Sequence, residues 1–299
     1  MPLISFEQAW RAYRAAEARL PSKPPPLSPR RVNGIADLAG TFDLVLLDSW
    51  GVLNLGHSPI PSARAAVAHL RRARIPLRVL SNDASGDKDG AVANHRRRGF
   101  DFRGDEVVSG LDLLPERLQN LELSGPIGLI ADPPAPMAAI TGAMCALGDA
   151  RSAFDEVSAF VFLSADCWNE KRQNLLRESL RRNPRPIIVC NPDIASPNGT
   201  SQNAEPGFYA HRLASETGAS IIFCGKPFGE IYRLALAADP GVVPARVLCV
   251  GDTLHTDILG ARAAGFRAML VEDGFSAGQD ALSLARESGI WPDFIAPGL

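Results

Sequence analysis

From Asp43 onward the chain alternates short, unbroken apolar runs with polar stretches of helix length. The runs are LVLL (44–47), PLRVLS (76–81), EVVSG (106–110), IGLIA (127–131), AFVFLS (159–164), PIIVCN (186–191), SIIFCG (220–225), VLCVGD (247–252) and RAMLVED (267–273). A strand that is apolar on both faces belongs in a parallel sheet covered by helices on each side, so the pattern predicts an α/β fold. Before this region, Phe6, Trp10, Tyr13 and Leu20 fall near one face at helical spacing, and Ser5 with Gln8 forms a candidate capping box. The segment PSKPPPLSPR (21–30) cannot continue a helix, because proline lacks the amide donor, and it reads as an extended, semi-rigid spacer. The amphipathic segment is therefore an appendage, expected to dock on the body, with a subunit contact as the alternative.

The length of 299 residues suits two lobes, each with its own core, and 46% hydrophobic against 21% charged residues places the chain among globular proteins. A formal net charge of -2 offers no concentrated basic face for nucleic acid. The clusters Arg71, Arg72, Arg74 and Arg96 to Arg98 read as solvated helix faces rather than phosphate grips. Five cysteines lack a CxxC spacing, and three of them sit inside apolar runs as small hydrophobes. The histidines show no paired spacing for zinc. No apolar run reaches spanning length and the amino terminus lacks the signal-peptide pattern, so the expectation is a cytoplasmic protein without a membrane partner.

In open parallel sheets chemistry gathers at the carboxyl ends of the strands. The first strand is not followed by GxGxxG, which weighs against a dinucleotide-binding domain. What stands at the strand ends is Asp48, then Ser81 with Asn82, then Lys226, then Asp252, with Asp257 five residues later. Each alone is an ordinary turn former or helix cap. Together they are the parts of phosphoryl transfer through an aspartyl-phosphate. Asp48 is the candidate nucleophile. A divalent cation must offset the repulsion between two anions, and Mg²⁺ suits an oxygen-only ligand set. Asp252 is a second carboxylate ligand, and Asp257 binds the ion or orients its waters. Lys226 neutralises Asp48 and a phosphate oxygen, while the Ser81 hydroxyl and the Asn82 amide hold another.

These residues and spacings resemble the haloacid dehalogenase (HAD) superfamily, and within it the class IIA phosphatases related to NagD and the nitrophenylphosphatases. LLDSWGVL with PSARAAVAHLRR is similar to the family's first motif and helix, VLSNDAS to its second, GKPFGEIY to its third and VGDTLHTDILGARAAG to its fourth. CNPDIASPNG and PGFYAHRLA are similar to the segments that lead into the lysine motif. The resemblance implies a Rossmann-like core with a large α/β cap inserted between the second and third motifs. The expected division is an N-terminal helix and linker over 1–40, core over 41–111, cap over 112–220 and core again over 221–299. It also implies that the backbone carbonyl of Trp50 is a metal ligand, that substrate choice lies with the cap, and that a homodimer is an open outcome. Cap candidates for the substrate are Asn191 and Asp193, with Asp166 and Trp168 beside them; His57 is given no role.

The sequence departs from the family at Trp50. The family's residue two after the nucleophile is a second aspartate, which protonates the leaving oxygen and then activates water; indole does neither. Losing such assistance costs about 10²- to 10⁴-fold on alkyl esters. Three readings stay open at this point. One is a phosphatase acting on a small phosphorylated metabolite whose leaving group needs little protonation, or whose proton comes from elsewhere. Another is a catalytically weak phosphate-ligand binding or regulatory homologue. The third is displacement at carbon, against which the retained Asp252 and Asp257 count.

Overall fold

A computed structural model describes residues 2–133 and 144–299, so part of the expected cap, 134–143, lies outside the described residues. Two parallel sheets organise the chain. The first has seven strands in the spatial order Arg30–Arg31, Phe294–Ala296, Arg267–Val271, Val247–Gly251, Leu44–Leu47, Leu77–Ser81 and Val107–Ser109. Every neighbouring pair in it is parallel. Its central strands are buried on both faces, and the two-residue period divides them between two cores. Leu44 and Leu46 face one side with Leu80 and Val247, and Val45 and Leu47 face the other with Val79 and Leu248. The helix Pro61–Arg72 covers the second side with Ala63, Ala66, Val67 and Leu70. Gly229–Leu236 and Leu259–Ala263 cover the first with Ile231, Tyr232, Leu259 and Ala261.

The second sheet has five parallel strands in the order Ile221–Phe223, Ile187–Val189, Ala159–Phe162, Ile127–Ile130 and Met144–Ala146. Its own core holds Phe154, Phe160, Phe162, Trp168, Leu176 and Leu213. Two of the expected boundaries move. Ile221–Phe223 pairs with Ile187–Val189, so the second lobe's sheet runs past residue 220. An apolar run announces a strand but not its partner. Likewise Arg30–Arg31, at the end of the proline-rich spacer, adds an edge strand beside Phe294–Ala296 through Arg30 N to Asp293 O and Val32 N to Ile295 O, at 2.9 and 3.0 Å. Residues 30–32 therefore belong to the core sheet rather than to a linker.

The N-terminal helix, Phe6–Ala16, forms with the expected capping box, Ser5 N donating to Gln8 Oε1 at 2.8 Å and Gln8 N to Ser5 Oγ at 3.2 Å. It docks on the body. Tyr13 stacks on the buried His255 at 4.9 Å between ring centroids, Trp10 meets the same ring edge-on at 5.0 Å, and Trp10 Nε1 donates to Glu287 at 2.9 Å. The preceding strand, Leu3–Ile4, pairs with Ser201–Ala204, half of an antiparallel hairpin with Ala195–Asn198. The hairpin loop is Gly199–Thr200, with Gly199 at φ +60°, a left-handed conformation that glycine adopts without a Cβ clash. The appendage thus touches both the core and the hairpin that emerges from the second lobe.

Candidate active site

Three adjacent strands of the first sheet bring their carboxyl ends together, because parallel neighbours end on the same edge. Leu44–Leu47 is followed by Asp48, Leu77–Ser81 by Asn82, and Val247–Gly251 by Asp252. After Asp252 a π-helical turn, Leu254–Ile258, delivers Asp257 back to the same edge, where its Oδ2 accepts Thr253 N at 3.1 Å. Lys226 arrives from the other lobe, three residues past the end of Ile221–Phe223. Its Nζ bonds to Asp48 Oδ1 and donates to Asp257 Oδ1 at 2.7 Å. Carboxylate oxygens of Asp48, Asp252 and Asp257 lie within 4.8 Å of one another, and all three residues are buried. Asp252 is fixed from both sides, accepting Thr253 Oγ1 at 2.8 Å and Phe275 N at 2.7 Å.

Glycine makes this crowding sterically feasible. Gly51 stands at φ +90°, and a Cβ there would lie 1.8 Å from Asp252 Oδ2; a Cβ on Gly274 would lie 2.1 Å from the same atom. Any larger residue at either position would displace the carboxylate.

The electrostatics follow from three acids facing one ammonium. Burial pushes the Asp48 carboxyl well above its usual range, against the pull of Lys226 and with the push of Asp257 and Asp252. Asp252 is pushed up to about 7 by burial and then by Asp257. Burial opposes charge on Lys226, but Asp257, Asp48 and Asp193 outweigh it and hold its pKa above that of an ordinary lysine. The cluster is short of positive charge, and its donors are all oxygens. That set fits a hard divalent cation such as Mg²⁺, with Asp48, Asp252 and Asp257 as the side chains that would hold it.

Above this floor lies a cavity of about 320 Å³, lined by both lobes. Ser81 opens onto it; its Oγ accepts Asp83 N at 3.1 Å and keeps its proton to donate. The Asn82 side chain is spent on the protein itself. Its Oδ1 accepts Lys226 N at 2.7 Å, and its Nδ2 donates to Lys226 O at 3.0 Å and Asp193 Oδ1 at 2.9 Å. Asn82 therefore locks the lysine loop, leaving only its main chain for a ligand. Asp193, pushed up to about 6 by burial against the pull of Lys226, sits at this junction of the lobes, bonded to Asn82. Asn191 lines the cavity and is a brace. Its Oδ1 accepts Asp193 N at 3.0 Å and its Nδ2 donates to Glu205 Oε2 at 3.1 Å.

Trp50 also lines the cavity, half-buried, and its Nε1 donates to Pro197 O of the hairpin at 2.9 Å. The indole thus ties the loop after Asp48 to the second lobe, 147 residues away in sequence. Of the other sequence candidates, Asp166 and His57 line the cavity, whereas Trp168 is a core residue, 4% exposed, packed on Phe162 and bonded to Gln173. Arg98 departs from the reading of its cluster as a solvated face: it is half-buried, lines the cavity and donates to Gly56 O at 3.1 Å. Sequence reasoning missed Thr253 and Glu205. Thr253 lay inside a quoted motif between two aspartates; Glu205 precedes Pro206 and carried no signal of its own.

Among the described residues no helix is long and apolar enough to cross a membrane. Residues 45–135 match the family model described as haloacid dehalogenase-like hydrolase, and residues 223–299 match one described as HAD-hydrolase-like. The chain is 26% identical over 243 residues to the human phospholysine phosphohistidine inorganic pyrophosphate phosphatase, covering 77% of this chain and 83% of that one. It is 27% identical over 281 residues to mouse chronophin, covering 84% and 88% respectively. Among solved structures, a possible sugar phosphatase of the HAD superfamily from Cytophaga hutchinsonii superposes with a TM-score of 0.78 at 24% identity, over 91% of this chain and 98% of that one.

Proposed function

The chain belongs to the haloacid dehalogenase-like hydrolases, and from that premise we propose that it is a Mg²⁺-dependent phosphohydrolase acting on a small phosphorylated metabolite through an Asp48 phosphoenzyme. The observation that carries the reading is the convergence of Asp48, Asp252 and Asp257 with Lys226 on the floor of one cavity. The relatives named above as phosphatases support the same reaction class.

In this reading Asp48 attacks phosphorus; a bond forms to its carboxylate oxygen as the phosphorus–oxygen bond to the leaving group breaks. Water then attacks the same phosphorus, the acyl phosphate bond breaks, and phosphate leaves with Asp48 regenerated. Lys226 holds the attacking carboxylate and balances a phosphate oxygen, and the Ser81 hydroxyl and the main-chain amide of Asn82 bind others. Asp48, Asp252, Asp257 and the Trp50 carbonyl would hold the divalent cation, which when bound would supply positive charge against the repulsion between nucleophile and phosphate. Trp50 cannot protonate the departing oxygen, and its N–H is engaged with Pro197. Leaving groups that need little protonation, such as aryl and acyl phosphates, are therefore the better substrates unless the substrate or the second lobe supplies a proton.

The test is turnover of p-nitrophenyl phosphate, an acyl phosphate and an alkyl sugar phosphate, each with Mg²⁺ and with EDTA. Hydrolysis that needs Mg²⁺ and disappears in Asp48→Asn, with a cooperative melting transition retained, is the expected outcome. Turnover persisting in that variant refutes the covalent route, and binding without hydrolysis of any of the three favours a ligand-binding role.

A further inference from the structure

The second lobe contributes its own part of the cavity lining, and one side chain in it stands out chemically. Glu205 is 8% exposed and occupies the residue before Pro206, where the helix Pro206–Thr217 begins. Its side chain does not cap that helix. It lines the cavity instead, held by Ser196 Oγ donating to Oε1 at 2.5 Å and Asn191 Nδ2 donating to Oε2 at 3.1 Å.

A buried carboxyl is normally matched by a cation. Glu106, Asp293 and Asp257 follow that rule, with Arg71 at 2.6 Å, Arg267 at 2.7 Å and Lys226 at 2.7 Å, while the buried Asp252 has no such partner and belongs to the acidic floor that suits a cation. Glu205 has no Lys, Arg or His nitrogen within 4.0 Å among the described residues. Its neighbourhood compounds the deficit. Burial pushes it up to about 8, and Asp193, Asp83 and Asp166 all push the same way. The wall is preorganised by two side-chain bonds, and a carboxyl held at about 8 keeps its proton at neutral pH until a cation stands beside it.

We infer that Glu205, braced by Asn191 and Ser196, is the specificity residue for the leaving group, and that the preferred substrate is a small phosphomonoester bearing an ammonium group. This rests on the reading above, in which the phosphate lies on the floor. An ammonium restores the charged carboxylate and binds it in a charge-assisted hydrogen bond, whereas a carboxylate brought to the same wall meets the field of Asp193, Asp83 and Asp166. Size sets a second limit. A volume of about 320 Å³ lies at the small end of the range for small-molecule sites, about 300–1,000 Å³. That favours an amino alcohol or amino sugar phosphate over a nucleotide.

The experiment compares matched esters with Mg²⁺: phosphoethanolamine and glucosamine 6-phosphate, then glycerol 3-phosphate and glucose 6-phosphate, then 3-phosphoglycerate and 6-phosphogluconate. For the unaltered protein kcat/KM is expected to fall in that order, with the ammonium esters ahead of the hydroxyl esters by about tenfold or more. In Glu205→Gln that preference collapses to near unity, mostly through KM. Glutamine keeps an acceptor for Asn191 and a partner for Ser196, so a cooperative melting curve no lower than that of the unaltered protein shows that the wall is intact. The same six esters titrated calorimetrically into Asp48→Asn read the selectivity without turnover, which separates a failure of this inference from a failure of the proposed reaction. Equal affinity for ammonium and hydroxyl esters, or a preference that survives Glu205→Gln, overturns it and leaves Glu205 a structural brace only.

Discussion

Replacing Asp252 by asparagine should make the metal-free protein more stable. Asp252 is 3% exposed and its carboxyl is pushed from 3.8 up to about 7 by burial and Asp257. An acid whose pKa is raised by folding costs nothing below its unfolded value, where it is protonated in both states. The cost grows as pH rises and is complete above the folded value. The gap corresponds to about 4 kcal/mol above pH 7. Asparagine is isosteric and keeps both anchors. Its Oδ1 can accept Phe275 N, and its Nδ2 can donate to the Thr253 hydroxyl, which rotates to accept. At pH 8 in EDTA, Asp252→Asn should therefore melt above the unaltered protein by roughly 6 °C, and at pH 5.5 the advantage should shrink to about half. Mg²⁺ should reverse the ranking, raising the melting temperature of the unaltered protein and not that of the variant, because linkage rewards only the state that binds. Thermal melts followed by circular dichroism at both pH values, with EDTA and with Mg²⁺, make the measurement. An asparagine variant that is less stable at pH 8 in EDTA, or whose advantage grows as pH falls, refutes the reasoning.

Other expectations bear on neighbouring parts of the molecule. Trp50→Asp should raise kcat on alkyl phosphates by up to about 10²- to 10⁴-fold, with little change on p-nitrophenyl phosphate; no gain on either would mean that the proton comes from elsewhere. Tyr13→Phe removes the acceptor of Ile194 N, which lies 3.2 Å from the Tyr13 hydroxyl. Leaving that amide buried and unpaired should cost about 1–3 kcal/mol in denaturant unfolding, and an unchanged midpoint would show that the N-terminal helix does not hold the hairpin.

The local grammar of the chain reached far into this protein. Asp48, Ser81 and Asp252 were legible because each ends an apolar run, and a parallel strand that is buried on both faces exposes chemistry only at its end. The capping box at Ser5 and Gln8 was legible for the same reason, since its partners are three residues apart. Such features depend on neighbours in sequence, and period and spacing report them directly.

What depended on distant neighbours was invisible. SIIFCG and VLCVGD are the same kind of run, yet one pairs with Ile187–Val189 and the other with Leu44–Leu47. Trp50 showed that an acid was missing, but not that its indole would bind Pro197, and nothing near Asn82 in sequence showed that its side chain would brace the lysine loop. Glu205 carried no signal of its own before Pro206, and only the second lobe's contribution to the cavity makes it part of the lining. The alternation of apolar and polar residues determines which segments become strands and helices. Which strands pair and which side chains share a cavity is decided by packing among segments from tens to some two hundred residues apart, and no period in the chain encodes that distance.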